Sequence, residues 1–247
     1  MNIAFRTGAL GLMAYQKGMD TLANNMANVN NNGYKAMRSS FSDLLYSDLT
    51  HYAEKGGQDI KTGLGVKQVA TDYMFEQGAP QTTERDLDFC IVGNGFFGLV
   101  SGDKKNKEIK YTRDGNFSLR LEKDGAYLVH SASQNYVADK KGKKIKVNIK
   151  PDGSVDQAQI LKDLGIFKFD NPHAMKPEGS NLLSANALTG KPQEDKESDV
   201  RVGMLEGSSV DISRQMTDVM ITQRAFQFNS RIVQIADEME QEVNKLR

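Results

Sequence analysis

The last forty residues constrain this chain most. From Ser208 to Arg247 there is no proline and, after Gly207, no glycine. The apolar residues of this run fall on two helical stripes. One is Ile221, Ala225, Phe228, Ile232, Ile235, Met239 and Leu246, interrupted by Glu242. The other is Ile212, Met216, Val219, Phe226, Val233, Ala236 and Val243, with Gln223 and Glu240 as polar gaps. Alternating three-four spacing predicts a helix packed lengthwise against other helices. At 1.5 Å per residue it would be roughly 55 Å long. Two stripes call for two neighbours, or one neighbour on a wide face.

Residues 3 to 29 repeat the theme. Phe5, Ala9, Leu12, Met19, Ala23 and Met26 follow the same spacing, broadened by Leu10, Met13, Leu22 and Val29. Gly8, Gly11 and Gly18 each weaken an isolated helix by about 1 kcal/mol relative to alanine. Their small size predicts the close approach of a second helix. Six asparagines then lie between Asn24 and Asn32, before Gly33. Asparagine competes with the helical backbone for hydrogen bonds, and glycine is a natural helix-terminating residue. Asn24, Asn25 and Asn28 fall inside the periodic part, which predicts that they hydrogen-bond to a neighbouring chain.

Residues 34–85 lack clear periodicity and read as an extended linker with a short helix at Ser40–Leu49. From Asp86 onward short apolar runs alternate with Asp-Gly, Asn-Gly and Lys-Gly turns, the strongest short-range signals for hairpins. The runs include LDFCIV, FFGLV, FSLRL, AYLVH, SVDQAQI, LGIFKF and VRVGML. The stretch from Pro172 to Asp199 reads as a loop that interrupts them. The fold class is thus α+β, mainly β: an antiparallel β domain flanked by long N- and C-terminal helices that pair as a coiled coil. The expected domains are 1–33 and 208–247 as the two halves of a split helical core, 34–85 as linker, and 86–207 as the β-rich domain.

Thirty-two basic and thirty-two acidic side chains cancel, so bulk charge gives no case for nucleic acid. The lone cysteine, Cys90, lies in the apolar FCIV run and reads as a packing residue. Gly93–Gly98 satisfies G-x-G-x-x-G, but a dinucleotide site needs a helix to open there, and FFGLVSGDK is strand-like. His51, His130 and His173 are far apart, without ligand spacing, and read as surface residues. Asp86 and Asp88 read as a solvated strand edge, and the charge run Glu194–Asp199 as a solvated loop. The chain reads as no enzyme, with no cofactor, metal or small-molecule substrate.

Three segments together resemble the axial rod and hook proteins of the bacterial flagellum. LANNMANVNNNGYKAMRSSFSDLLY is similar to the family's N-terminal signature, with its glycine-aromatic-lysine step at Gly33-Tyr34-Lys35. LDFCIVGNGFFGLV with YTRDGNFSL is similar to the first β-domain strands. VRVGMLEGSSVDISRQMTDVMITQRAFQFNSRIVQIADEM is similar to the C-terminal helix. Length and the segment after the signature favour the rod type, most like the distal rod member; a proximal rod or hook-type paralogue is the alternative.

The resemblance implies a structural subunit that polymerises helically into the basal-body drive shaft and transmits torque for motility. It implies neighbouring rod and hook axial proteins as partners, location in the flagellar basal body, and passage through the flagellar type III export apparatus without a cleaved signal peptide. The terminal helices would be loose until assembly. The polymer interface is expected at Leu12, Met19, Asn24, Asn25, Met26, Asn28, Ile221, Ala225, Phe226, Phe228, Ile232, Val233, Ile235 and Met239. The competing reading from another class is a β-domain binding module on a self-contained coiled-coil stalk.

Overall fold

The computed structural model describes residues 3–48, 61–101, 108–123, 125–148, 155–195 and 197–246. Two compact units are present. One comprises Met1–Ala27, Met37–Tyr73 and Asp211–Arg247; the other comprises Asn28–Ala36 and Met74–Val210.

The first unit holds the two long helices, α1 (Ile3–Ala27) and α3 (Ile212–Lys245), with the shorter α2 (Gln157–Asp163) belonging to the other unit. Helix α3 starts where Asp211 accepts hydrogen bonds from the amides of Ser213 (2.9 Å) and Arg214 (3.3 Å). A carboxylate there satisfies amides that a helix start otherwise leaves unpaired. The two helices run antiparallel and in contact: Gly8 meets Val233, Gly11 meets Asn229, and the Asn25 amide donates to Gln215 Oε1. The glycines act as their size predicts. A Cβ on Gly8 would stand 2.9 Å from Val233 Cγ2, and one on Gly11 2.7 Å from Asn229 Oδ1. Gly18 serves another neighbour, since its Cβ would stand 3.1 Å from the tip of the Phe41 ring.

That ring belongs to an antiparallel ribbon of β1 (Met37–Asp43) and β4 (Val66–Tyr73), with the short pair β2 (Tyr46–Asp48) and β3 (Lys61–Gly63) between them in sequence. The helix expected at Ser40–Leu49 is therefore replaced by strand at 40–43 and 46–48, and Leu49 and His51 lie outside the described residues. Tertiary packing decides the matter. The ribbon lies along α1, with Phe41 against Gly18 and Tyr15, Ser39 Oγ donating to Thr21 Oγ1 at 2.8 Å, and Gly65 beside Leu10.

The second unit is β-rich. In chain order its strands are β5 (Pro80–Thr82), β6 (Phe89–Val92), β7 (Phe96–Val100), β8 (Ile109–Thr112), β9 (Phe117–Glu122), β10 (Gly125–His130), β11 (Tyr136–Val137), β12 (Lys146–Val147), β13 (Ile166–Lys168), β14 (Lys176–Gly179), β15 (Leu182–Ser184), β16 (Gln193–Glu194), β17 (Asp199–Val202) and β18 (Met204–Glu206). Ten of these form one sheet along β12-β10-β11-β7-β8-β15-β14, with β9 on β10 and β13 and β16 branching from β7. Strand β6 pairs β17, and β5 pairs β18.

The FFGLV run of β7 is central. Phe97 and Leu99 enter a core with Phe89, Phe117 and Leu128, while Phe96 points the other way, to Tyr111, Phe167 and Phe169. Period-two alternation places the two phenylalanines on opposite faces. Gly98 makes room for the Phe167 ring, 2.5 Å from where a Cβ would sit. No helix follows Gly93–Gly98 but β7 itself, as the strand-like sequence predicts.

Two expectations of secondary structure fail in this unit. Within SVDQAQI, expected as strand, QAQ opens α2, and Ile160 is buried against the core. Gln157, Ala158, Gln159, Leu161 and Lys162 are all good helix formers, which outweighs the β-branched Ile160. The expected loop after Pro172 contains the hairpin β14–β15, turned by Ser180 and Asn181 at φ +51° and +57°. Both central residues with φ > 0 are what a two-residue hairpin turn needs, and asparagine tolerates that geometry.

Replacing Gly11 with leucine forces α1 away from Asn229. The expected result is a loss of about 1–3 kcal/mol from the helical unit, read as an earlier urea transition in helical circular dichroism than in the native chain. An unchanged midpoint would refute the close approach.

Candidate assembly surface and a buried charge cluster

Helix α3 turns the middle of its second stripe to α1 and its first stripe to solvent; Ile212, Met216 and Val243 of the second stripe are also exposed. Ala236 is 1% exposed, and Phe226 and Val233 are half-buried. On the other stripe Ile221 is 61% exposed and Phe228 62%, with Ile232, Ile235 and Met239 also exposed. Ile232 straddles the boundary, since its Cγ2 reaches to 3.6 Å from a Cβ placed on Gly8. Ala225 is half-buried. A contiguous apolar row of this kind marks an interaction site more often than chance exposure. On α1, Leu12, Met19 and Met26 are half-buried within the unit.

The asparagines divide. Asn24 is exposed, and Asn28 accepts at Oδ1 from Asn31 Nδ2 at 2.6 Å. Asn25 is wholly buried and spoken for inside the chain, which corrects its expected bond to a neighbour. Its Oδ1 accepts from Met37 N at 2.8 Å and its Nδ2 donates to Met37 O at 2.7 Å, while also reaching Gln215 Oε1 at 3.2 Å. The amide thus pairs with a backbone residue as a strand would, and ties α1 to the start of β1. That is why asparagine, and not a cheaper helix former, stands at this position.

A feature that spacing alone does not disclose lies in the β-rich unit. Glu206, at the end of β18, is buried with Lys35 and Arg113. Lys35 Nζ lies 2.7 Å from Glu206 Oε1 and donates to Glu76 O at 2.7 Å. Arg113 Nη1 is 3.4 Å from Glu206 Oε2, its Nη2 donates to Gly93 O at 2.8 Å, and its guanidinium carbon stands 5.0 Å above the centre of the Phe96 ring. Two cations face one carboxylate, and the surplus positive charge is met by carbonyl oxygens and the ring. Burial pushes the Lys35 ammonium and the Arg113 guanidinium down from their ordinary values, and the pull of Glu206 opposes this in both.

Gly33 sets Lys35 in place. Its φ is +66°, and a Cβ there would lie 2.6 Å from Asp114 N. Left-handed backbone and a crowded neighbour both demand glycine. Its amide donates to Glu206 O at 2.7 Å.

Other candidates resolve to structure. Cys90 is a buried free thiol, pushed up by burial, consistent with packing. His130 is buried, contrary to its expected surface position, with Nε2 3.1 Å from Asp114 Oδ2 and Nδ1 2.8 Å from Ser133 Oγ. His173 is exposed beside Phe75. Asp88 is buried, not at a solvated edge: it bridges Asn116, and Arg85 Nη1 lies 3.6 Å from its Oδ1; Asp86 is exposed. Among the described residues no three His, Cys, Asp or Glu side chains are grouped to hold a metal, and no helix is long and apolar enough to cross a membrane.

Comparison with known proteins accounts for this arrangement. Residues 5–35 match the family described as "Flagella basal body rod protein", and residues 201–246 match "Flagellar basal body rod FlgEFG protein C-terminal". The matched segments contain most of α1 through Lys35, and Glu206 through the whole of α3. The chain belongs to the flagellar basal-body rod proteins, a family of structural, non-catalytic components. It is 31% identical to the flagellar basal-body rod protein FlgG of Caulobacter vibrioides, over 99% of both chains. It is equally 31% identical to FlgG of Bacillus subtilis, over 98% of this chain and 97% of that one. The flagellar hook-basal body complex protein FlhP of Bacillus subtilis is 28% identical over 98% of both.

Substituting Lys35 by methionine leaves Glu206 short of its nearer counter-ion in a buried setting. The expected cost is about 3–5 kcal/mol, measured by urea unfolding. The double variant Lys35→Met/Glu206→Gln should recover part of it. A loss under about 1 kcal/mol in the single variant would contradict the burial argument.

Proposed function

We propose that this chain is a rod subunit of the distal type. Copies assemble helically through the open stripe of α3 into the axial shaft that carries torque for motility. The observation that carries this reading is the row Ile221, Phe228, Ile232, Ile235 and Met239, exposed on a helix that already meets α1 at Asn229 and Val233. Burying one such side chain contributes about 1.5–3 kcal/mol, so a row of them supplies ample drive for subunit addition. Contacts between unlike surfaces that do not close a ring produce a filament. Full-length similarity to rod proteins supports the same reading.

The rest of the proposed interface follows from the same helices. Leu12, Met19 and Met26, half-buried on α1, and Asn24 and Asn28 at its end complete the surface, together with Ala225 at the margin of the open stripe and whatever α1 leaves uncovered of Phe226 and Val233 on the other stripe. Asn25 is left out, because its amide is used within the chain. Neighbours along the axis are other rod and hook proteins, and the chain arrives through the flagellar type III export apparatus. The similarity to a hook-basal body complex protein favours a rod-like paralogue as the second reading.

The double variant Phe228→Asp/Ile235→Asp tests the proposal. Both side chains are solvent-exposed in the free chain, so unfolding should shift by no more than about 0.5 kcal/mol. In a strain lacking its own copy the variant should give no completed rods in electron micrographs and no swimming. Normal rods built from this variant would overturn the proposal.

A further inference from the structure

Three of the four passages of backbone into or out of the β-rich unit run close to one carboxylate. The unit begins at Asn28, and the three are its end at Ala36, its restart at Met74 and its last end at Val210. Near each of these points the chain is bonded to Glu206 or to the residues beside it. Gly33 N donates to Glu206 O at 2.7 Å, and Lys35 Nζ lies against Oε1. Gly78 N donates to the same Oε1 at 2.9 Å. Gly207 N donates to Ala79 O at 2.9 Å and Ser209 N to Tyr34 O at 3.1 Å, while Met74 N donates to Ala36 O at 2.8 Å. Ala36 N donates to Ser209 Oγ at 2.9 Å.

We infer that Glu206 is a positioning residue for torque transmission: its carboxylate clamps the three outgoing segments into one stiff bundle. This inference rests on the rod reading above. A carboxylate buried between Lys35, Arg113 and a backbone amide is held by charge-assisted bonds, roughly twice as strong as neutral ones. No water competes for it, because the Glu206 and Lys35 side chains are almost completely covered. Without the clamp, the segments at 33–36, 74–79 and 205–209 would be joined by scattered backbone bonds that break one at a time. With it, a pull on one segment loads the carboxylate and through it the other two. Lys35 supplies the long, single-pointed ammonium that reaches both Oε1 and Glu76 O. The planar guanidinium of arginine does not place one donor at both points, so Lys35→Arg is not equivalent.

Glu206→Gln keeps the size of the side chain and removes its charge. Two measurements on the full-length variant test the clamp. In hydrogen exchange on the free protein, amides of Gly33, Gly78, Gly207 and Ser209 should exchange at least about tenfold faster, with those of Phe97, Leu99 and Leu128 unchanged. In hook-basal bodies isolated from cells carrying the variant, torsional stiffness should fall by about twofold or more at normal rod length, an order-of-magnitude expectation from loss of the charge-assisted bonds. A destabilised fold would instead speed exchange throughout the sheet and reduce the number of rods, and that result would overturn the clamp. Unchanged exchange at the four glycine and serine amides, or unchanged stiffness with those amides open, would overturn it too. Should Glu206→Gln fail to fold, Lys35→Gln gives the same readouts with the Arg113 pair retained. If the native chain itself is missing from isolated rods, the rod reading falls, and the exchange arm still judges the clamp.

Discussion

The approach of α1 to α3 at Gly8 and Gly11 decides which side of α3 is left for other molecules. Side chains larger than hydrogen at those positions would run into Val233 and Asn229. With the glycines in place, the stripe of Val233 and Ala236 is consumed inside the chain. The stripe of Phe228, Ile235 and Met239 is left facing out. The helix therefore needs two partners, as its pattern demands, and the chain supplies only one. Helix α1 is better provided for: α3 covers one of its sides and the ribbon of β1 and β4 another, through Gly18, Thr21 and Asn25.

The β-rich unit solves a different problem. Its sheet is stabilised by apolar cores on both faces of β7, and these contain no residue of α1 or α3. Its chain ends do need organising, because the polypeptide enters and leaves at points far apart in sequence. Glu206 gathers them at the cost of burying two cations with one anion. Such clusters contribute little net stability compared with apolar packing, but they specify one arrangement strongly, since removing any member leaves a charge stranded. For a subunit that carries load, a single arrangement is worth more than extra stability.

How much of this is legible in the sequence differs by element. The long helices follow from three-four spacing, because that signal is local. The turn dipeptides mark turns more surely than hairpins: β9 and β10 pair across Gly125, but Asp114-Gly115 joins β8 to β9, which do not pair, since the partner of each strand is chosen by the sheet. The strand at Ser40–Asp43 is not legible as strand: its residues take that form to set Phe41 against Gly18, a contact between segments far apart in sequence. Asn25 shows a subtler limit. Its misfit inside a helix is visible as a signal that the amide must be bonded, yet the sequence does not say to what, and the answer is Met37 of the same chain. Lys35 and Glu206 lie 171 residues apart, so only the fold brings them together. The Gly33-Tyr34-Lys35 step is readable as a motif, and the structure supplies its physical content. His130 and Asp88 mislead for the converse reason: a polar residue at a strand end reads as exposed until its neighbours are known.

In the proposed rod the outward stripe of α3 is covered by another subunit. Electron cryo-microscopy of assembled rods at side-chain resolution tests this directly. Phe228, Ile232, Ile235 and Met239 of each copy should be packed against helices of neighbouring copies, with α1 still seated on Val233 and Ala236. A rod in which those four side chains face solvent, with subunits joined only through their β-rich units, would contradict it.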